Sequence, residues 1–214
     1  MKNLLDILRD DHHQFSKGEL EKISDQLKPF ELFQEWLNNA VAEKVHEPNA
    51  FILATSYKDQ PSTRIVYLKD YLNDGLVFYT NYNSQKGHEI AASNKVAMQF
   101  FWYKLEQQIR IEGVVEKVPE SMSDAYFASR PRESQIGAWA SHQSEKLENR
   151  TDLSDRIKAL HLKFPGVVPR PPHWGGFVVI PHLYEFWQGR PSRLHDRICF
   201  QKNGNQWVVF RKNP

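Results

Sequence analysis

The chain has 214 residues, 40% of them hydrophobic and 25% charged, which supports a substantial core and excludes a mainly disordered or collagen-like chain. Its 28 Lys and Arg against 26 Asp and Glu leave a net charge of +2, too balanced for the electrostatic drive of a nucleic-acid or membrane-surface binder. With Cys199 as its single cysteine and no Cys/His zinc spacing, it has no disulfide framework and suits a reducing compartment.

The longest stretch free of Asp, Glu, Lys and Arg runs from Pro171 to Tyr184. It holds several prolines and is shorter than the ~20 apolar residues of a spanning helix. Lys2, Asp6, Arg9 and Asp10 interrupt any apolar core of a secretion signal. The expectation is a soluble cytoplasmic protein with no membrane partner.

Residues 1–8 read as a short helix, followed by a polar arm, so that residues 1–20 form an appendage and possible mobile lid to a single domain over 21–214. Pro29 stands where a first helical residue would, and Phe30, Phe33, Leu37 and Val41 follow at helical spacing, which predicts a helix over 29–44. The period then changes. Ala50–Tyr57, Thr63–Lys69, Leu76–Thr80, Val96–Tyr103 and Gln108–Val118 are β-branched or aromatic runs. They are separated by turn chemistry at Lys58-Asp59-Gln60-Pro61, Asn73-Asp74-Gly75 and Ser93-Asn94. Ser84 is a candidate cap for a helix through Ala92.

Helical signals return at 120–129 and at 144–164, before the stiff connector Pro169-Arg170-Pro171-Pro172. Gly176–Ile180, Leu183–Gln188, Arg197–Lys202 and Gln206–Arg211 then read as further strands of the same sheet. The class is α+β, mainly β: Greek-key-like antiparallel strands closing toward a barrel, with peripheral helices.

Four clusters carry candidate chemistry. Arg64 and Lys69 bracket a β-type run, and strand alternation sends them to opposite faces unless the strand ends between them. Taken alone, this cluster reads as two solvated strand-end charges ahead of an anion clamp. Tyr79-Thr80 followed by Ser84-Gln85-Lys86-Gly87 offers free backbone N–H groups at a helix entry, suited to phosphate, although helix capping by Ser84 accounts for much of it. Arg130, Arg132, Ser129 and Ser134, stiffened by Pro131, make a compact phosphate pocket. Arg193, His195 and Arg197 share one face if that segment is extended. An electron-rich ligand between them would relieve their repulsion, and Trp187 and Gln188 could flank a planar ring. His12-His13 lacks further ligands at zinc spacing, and no metal site is expected. The residues by themselves give two phosphate-type pockets and a planar-ligand surface.

At these clusters the sequence resembles the pyridoxine/pyridoxamine 5′-phosphate oxidase family, from about Lys17-Gly18 to Pro214. The segments Ser129 to Trp139, Phe186-Trp187-Gln188-Gly189, Arg193-Leu194-His195-Asp196-Arg197 and the Trp174-Gly175-Gly176-Phe177 turn carry the likeness. The resemblance implies an FMN-binding split β-barrel and a homodimer with each flavin at the subunit interface. It implies FMN contacts from Arg64, Ile65, Val66, Tyr67, Leu68, Lys69, Tyr79, Thr80, Gln85, Lys86, Gln108, Gln143, Ser144, Trp187 and Arg197. It further implies that Lys69, Tyr126, Arg130 and Ser134 hold a substrate phosphate. Arg193, Leu194 and His195 would cover a pyridine ring, with Arg193 and His195 as the catalytic pair.

The implied reaction passes a hydride from C4′ of pyridoxine or pyridoxamine 5′-phosphate to flavin N5, yielding pyridoxal 5′-phosphate while O2 becomes H2O2. Two departures from the family pattern stand out. Gln85 replaces a common arginine of the flavin-phosphate loop, and His12-His13-Gln14-Phe15 replaces an Arg-Arg-Glu-Tyr lid. Rival expectations are a split-barrel flavoprotein acting on another ligand, a non-catalytic pyridoxal phosphate binder, and a nucleic-acid module using aromatic strands.

Overall fold

A computed structural model describes residues 3, 5, 6, 9, 14–20 and 27–214. Most of the predicted helix 1–8, and His12 and His13, lie outside the described residues. From residue 27 onward the α-helices and strands follow in chain order: α1 Pro29–Ala42, β1 Ala50–Tyr57, β2 Gln60–Tyr67, β3 Asp70–Leu72, β4 Gly75–Asn81, α2 Gln85–Ala92, β5 Lys95–Trp102, β6 Gln107–Lys117, α3 Glu120–Ser129, α4 Arg132–Ala140, α5 Arg150–Lys163, β7 Trp174–Gln188, β8 Asp196–Asn203 and β9 Gln206–Arg211. The strands pair in the order β2-β1-β5-β6-β7-β4-β3, with β8 on β7 and β9 on β8. The path ends at β2 and β3, so the ladder does not close into a ring. The expected mainly-β, α+β class is what the chain adopts.

Local chemistry explains most boundaries. Lys58 and Asp59 have φ of 49° and 61° and join Tyr57 to its cross-strand partner Gln60, a two-residue hairpin turn of the primed type. The turn is therefore shorter than expected, and Gln60 and Pro61 belong to β2. Proline is tolerated there because β2 ends the strand path. Asn73 and Asp74, also at positive φ, make the same kind of turn between Leu72 and Gly75. The three-residue β3 had no signal of its own.

The first helix begins at Pro29 as predicted but ends at Ala42 instead of Lys44, which sits at a left-handed φ of 54°. Its buried stripe is Leu32, Phe33, Trp36, Leu37 and Ala40. Val41, expected on that face, is exposed. The helix expected over 144–164 starts only at Arg150, because Asn149 accepts hydrogen bonds from the Thr151 and Asp152 amides and caps it. Helix α4 was not foreseen, although Pro131 just ahead of it is a start signal. The two expected strands 176–180 and 183–188 are one, β7. It pairs with β4 over Trp174–Asn81 to Val179–Leu76 and with β8 from Leu183 onward, so Pro181 interrupts neither ladder.

The chain forms two compact units. The first comprises the described residues of Met1–Pro48, with Gln99–Ile111 and Leu183–Pro214. Its core is aromatic: Phe33 meets Phe100 at 5.3 Å between ring centres, Trp36 meets Phe186 at 5.2 Å, and Phe186 meets Phe200 at 5.8 Å. The second comprises Asn49–Met98 and Glu112–His182. There Phe127, Ile136, Val168 and Trp174 form a buried cluster against which Tyr79, Tyr126, Trp139 and Phe164 pack. Helices α3 and α4 are locked together by Gln135, whose side-chain amide donates to the carbonyls of Phe127, Ala128 and Arg130, each at 3.1 Å.

Candidate active site

The second unit contains a cavity of about 580 Å³. One corner is built by the turn from β4 into α2. Ser84 caps α2, its Oγ accepting from the Gly87 amide at 3.4 Å and donating to Asn81 O at 2.7 Å. Gly87 is obligatory in this turn, since a Cβ there would lie 2.0 Å from the Tyr82 carbonyl oxygen. The cap aims Lys86 into the cavity, where Nζ reaches Ser84 Oγ at 3.2 Å, Thr80 Oγ1 at 3.3 Å and Gln143 Oε1 at 3.4 Å. All three partners are neutral. Burial, and then the Arg64 charge, push the Lys86 pKa down, partly opposed by Glu89. A buried ammonium with no carboxylate partner among the described residues favours a bound anion.

Arg64 reaches the same cavity from β2. The parity expectation for Arg64 and Lys69 is resolved by the strand ending at Tyr67. Leu68 is buried, its amide donating to Asn49 O, and Lys69 emerges on the cavity side beside Arg64, Ile65, Val66 and Tyr67.

A second set of groups lines the same cavity. Tyr79, Tyr126 and Trp174 stack in near-parallel planes, with centres 4.0 Å apart for the tyrosine pair and 5.6 Å for Tyr79 and Trp174. The Arg130 guanidinium lies 4.6 Å from the Trp174 ring centre, in cation–π range. Its Nη1 and the Tyr79 hydroxyl are buried with no hydrogen-bond partner among the described residues. Burial, reinforced by Asp70, holds the Tyr79 pKa up at about 12, so this hydroxyl remains a donor. Ser134, on the first turn of α4, completes this wall. Two unsatisfied buried donors are rare in a folded protein and mark a place where a ligand oxygen fits.

The remaining candidates divide in two. Gln85 and Ser144 line a neighbouring cavity of about 530 Å³ with Tyr57, His88, Glu89 and Gln143, and Gln85 Nε2 donates to Glu89 Oε1 at 2.8 Å. The first unit holds Gln108, Trp187, Arg193, Leu194, His195 and Arg197. Here the extended reading of residues 193–197 fails: Pro191–Arg193 form a 3-10 turn with Ser192 and Arg193 at positive φ, and β8 begins only at Asp196. Trp187 and Arg197 are cross-strand partners. Gln188, expected beside a planar ligand, is buried and its amide is committed to Leu105 O and Glu106 O.

His195 lies 4.6 Å from Trp187 and 5.3 Å from Phe15, centre to centre. Its Nδ1 accepts from the Arg190 amide at 3.1 Å, which leaves the proton of the neutral ring on Nε2. Burial, then Arg193 and Arg197, lower its pKa. Arg197 donates to Glu185 Oε1 at 2.7 and 3.0 Å, while Gln108 Oε1 accepts from Gln99 Nε2 at 2.9 Å. Arg193 and Leu194 are exposed. Among the described residues no group of acidic, histidine or cysteine side chains could hold a metal ion. No helix there is long and apolar enough to cross a membrane.

Asn81, Gly137, Ala138 and Ser141 also line the main cavity. Only Gly137 and Ala138 carried a signal, as part of the Ser129–Trp139 segment.

Residues 37–164 match the profile of the pyridoxamine 5′-phosphate oxidase family. The chain belongs to this family. Residues 174–214 match the pyridoxine 5′-phosphate oxidase C-terminal dimerisation region. The chain is 48% identical over 201 residues to pyridoxine/pyridoxamine 5′-phosphate oxidase of Neisseria meningitidis, covering 94% of this chain and 96% of that protein. It is 52% identical over 189 residues to that of Gloeothece citriformis, covering 87% and 88%. PhzG from Burkholderia lata 383, solved in complex with tetrahydrophenazine-1-carboxylic acid, superposes with a TM-score of 0.83 at 31% identity, over 92% of this chain and 100% of that one. An FMN-binding protein of Nostoc punctiforme has the same fold at 14% identity and a TM-score of 0.70. Both family segments are present in this chain.

Proposed function

We propose that this protein oxidises pyridoxine 5′-phosphate and pyridoxamine 5′-phosphate to pyridoxal 5′-phosphate, using FMN and reducing O2 to H2O2. The observation that carries this reading is that one cavity holds two distinct cation-centred donor sets, Lys86 with its hydroxyl neighbours and Arg130 with Ser134 and the aromatic stack. Two phosphates, one on the cofactor and one on the substrate, satisfy both. The buried, carboxylate-free Lys86 ammonium suits the first, and the orphaned Arg130 Nη1 suits the second.

In this assignment FMN is held by Arg64, Ile65, Val66, Tyr67, Leu68, Lys69, Tyr79, Thr80, Lys86, Gln108, Gln143, Ser144, Trp187 and Arg197. When bound, FMN supplies the two-electron acceptor that O2 then reoxidises. Lys69, Tyr126, Arg130 and Ser134 anchor the substrate phosphate, and this remote charge fixes the position of C4′. Arg193 orients and polarises the pyridine ring, while His195, neutral and protonated on Nε2, closes over it with Leu194. The flavin-binding domain is assigned to 21–214, with 1–20, part of which lies outside the described residues, as its appendage. The family dimerisation region supports a homodimer, and the flavin sits at its subunit interface. The lone buried thiol Cys199 suits the cytoplasm.

Oxygen uptake by the FMN-supplemented protein tests the assignment, with pyridoxine 5′-phosphate as substrate and unphosphorylated pyridoxine as control. Uptake with the phosphate ester alone is expected. A yellow, flavin-loaded protein that consumes no oxygen with either compound would overturn it.

A further inference from the structure

The Arg64 guanidinium borders the main cavity, yet both of its terminal nitrogens are engaged by protein atoms. Nη1 donates to Thr55 Oγ1, to Leu53 O at 3.2 Å and to Ser62 O at 3.3 Å. Nη2 donates to Ser62 Oγ at 2.6 Å and to Glu89 Oε2 at 3.0 Å. Glu89 is itself only 6% exposed. It is fixed from four sides: by Thr55 Oγ1 at 2.5 Å, Ser62 Oγ at 2.8 Å, the Arg64 pair, and Gln85 Nε2 at 2.8 Å. Of the two cations at this corner, Lys86 faces neutral oxygens and Arg64 faces a carboxylate. Glu89 and Gln85 stand one turn apart on α2, so the residue that could have given Glu89 a cation of its own gives it a neutral amide instead.

We propose that Glu89 is an internal competitor for the cofactor phosphate: it holds Arg64, and FMN affinity is set by the exchange of that guanidinium from the Glu89 carboxylate to the phosphate. The inference rests on the FMN reading of the cavity and deepens it. A phosphate monoester carries about −1.5 to −2 charge at neutral pH and accepts a guanidinium in the same forked geometry as a carboxylate, so the two anions compete for one donor. Lys86 alone gives the first hold; Arg64 adds to it only after leaving Glu89. Gln85, hydrogen-bonded to Glu89 but uncharged, does not compensate that departure.

Two substitutions release Arg64 by different routes. Glu89→Gln removes the competing charge while keeping an acceptor for Thr55 and Ser62. Gln85→Arg, at an exposed position on α2, gives Glu89 a second guanidinium. The full-length protein freed of flavin is titrated into FMN, following the quenching of flavin fluorescence, with riboflavin as the phosphate-free control. Both variants should bind FMN more tightly by about tenfold, the worth of one charge-assisted hydrogen bond, with riboflavin binding unchanged. FMN binding that stays the same or weakens in Gln85→Arg overturns the proposal, as does an equal gain for riboflavin. An arginine at position 85 can also meet the phosphate directly, so the Gln85→Arg gain is measured again in an Arg64→Ala background. A gain that vanishes without Arg64 supports the proposal, one that persists overturns it, and this pair decides if Glu89→Gln does not fold. Wild-type protein that binds neither flavin overturns the FMN reading together with this inference, whereas wild-type binding without a gain in the variants overturns only the inference.

Discussion

Arg130 stacks its guanidinium on Trp174 at 4.6 Å and keeps Nη1 buried and unpartnered, a charged donor held in place before any ligand arrives. Such pre-placement lowers the ordering cost of binding. Replacing Arg130 with Leu should raise KM for pyridoxine 5′-phosphate by about 10- to 100-fold, the loss of one charged hydrogen-bonding partner, and leave FMN affinity within twofold of wild type. Arg130→Lys keeps the charge without the planar stack and should fall between the two. Steady-state kinetics beside flavin titrations check this, and an unchanged KM in Arg130→Leu would remove Arg130 from the phosphate site.

Lys86 trades stability for anion binding. Because burial lowers its pKa in the folded state, the protonated form is disfavoured there, and the folded protein loses stability at every pH where Lys86 is charged. Lys86→Met should therefore raise the melting temperature of the flavin-free protein at neutral pH while weakening FMN binding by at least about tenfold. Since the folded pKa lies below 10.5, the melting-temperature gap should narrow as pH rises through that interval. Differential scanning calorimetry from neutral to alkaline pH provides the measurement; a variant less stable than wild type at pH 7 contradicts it.

The opposite sign holds for Glu89. Burial alone would raise its pKa, but hydrogen bonds from Thr55, Gln85, Ser62 and Arg64 outweigh that and hold it at about 2, against 4.5 for an ordinary glutamate. Its ionised form contributes stability that is present above pH 4.5 and lost as pH falls toward about 2. Wild type should exceed Glu89→Gln in unfolding free energy at pH 6, and the difference should shrink across that acid window. Urea unfolding at a series of pH values reports it, and a difference that stays constant down to pH 3 would contradict the assignment.

At His195 the imidazole faces the Arg190 amide, the Phe15 and Trp187 rings and the charges of Arg193 and Arg197. Exposing the ring with Phe15→Ala, or removing a charge with Arg193→Leu, should each move its titration midpoint up toward 6.5. A proton-resolved NMR titration reads this directly. Arg193→Leu should also depress turnover far more than flavin retention, and equal losses of both would take Arg193 out of the catalytic role.

Turn chemistry made much of the fold legible, because positive-φ pairs such as Lys58-Asp59 and Asn73-Asp74 impose hairpins locally, whatever the rest of the chain does. Caps were legible when they stood alone, as Ser84 did, and misleading when several polar residues preceded a helix. Ser144 looked like a start, but Asn149 supplies the hydrogen bonds. Helix α4 was hidden because Ile136 and Ala140 are its only buried residues, too few to show a period. In the site, Arg130 and Lys86 could be read from their neighbours in sequence. The Glu89 pairing with Arg64 could not, because it depends on a register between β1, β2 and α2 that no local pattern encodes. Arg193 and His195 were placed on a strand by alternation, and Pro191 breaks that alternation into a turn.

The Tyr79, Tyr126 and Trp174 stack also has a spectroscopic side. Trp174 is the one indole among the described residues lining the main cavity, and the Arg130 guanidinium lies over its face. An anion arriving at that guanidinium changes the field across the ring, so the emission of Trp174 becomes an intrinsic gauge of phosphate occupancy. With flavin already bound, substrate phosphate could then be followed as the indole change that Trp174→Phe abolishes, the other five tryptophans being common to both proteins.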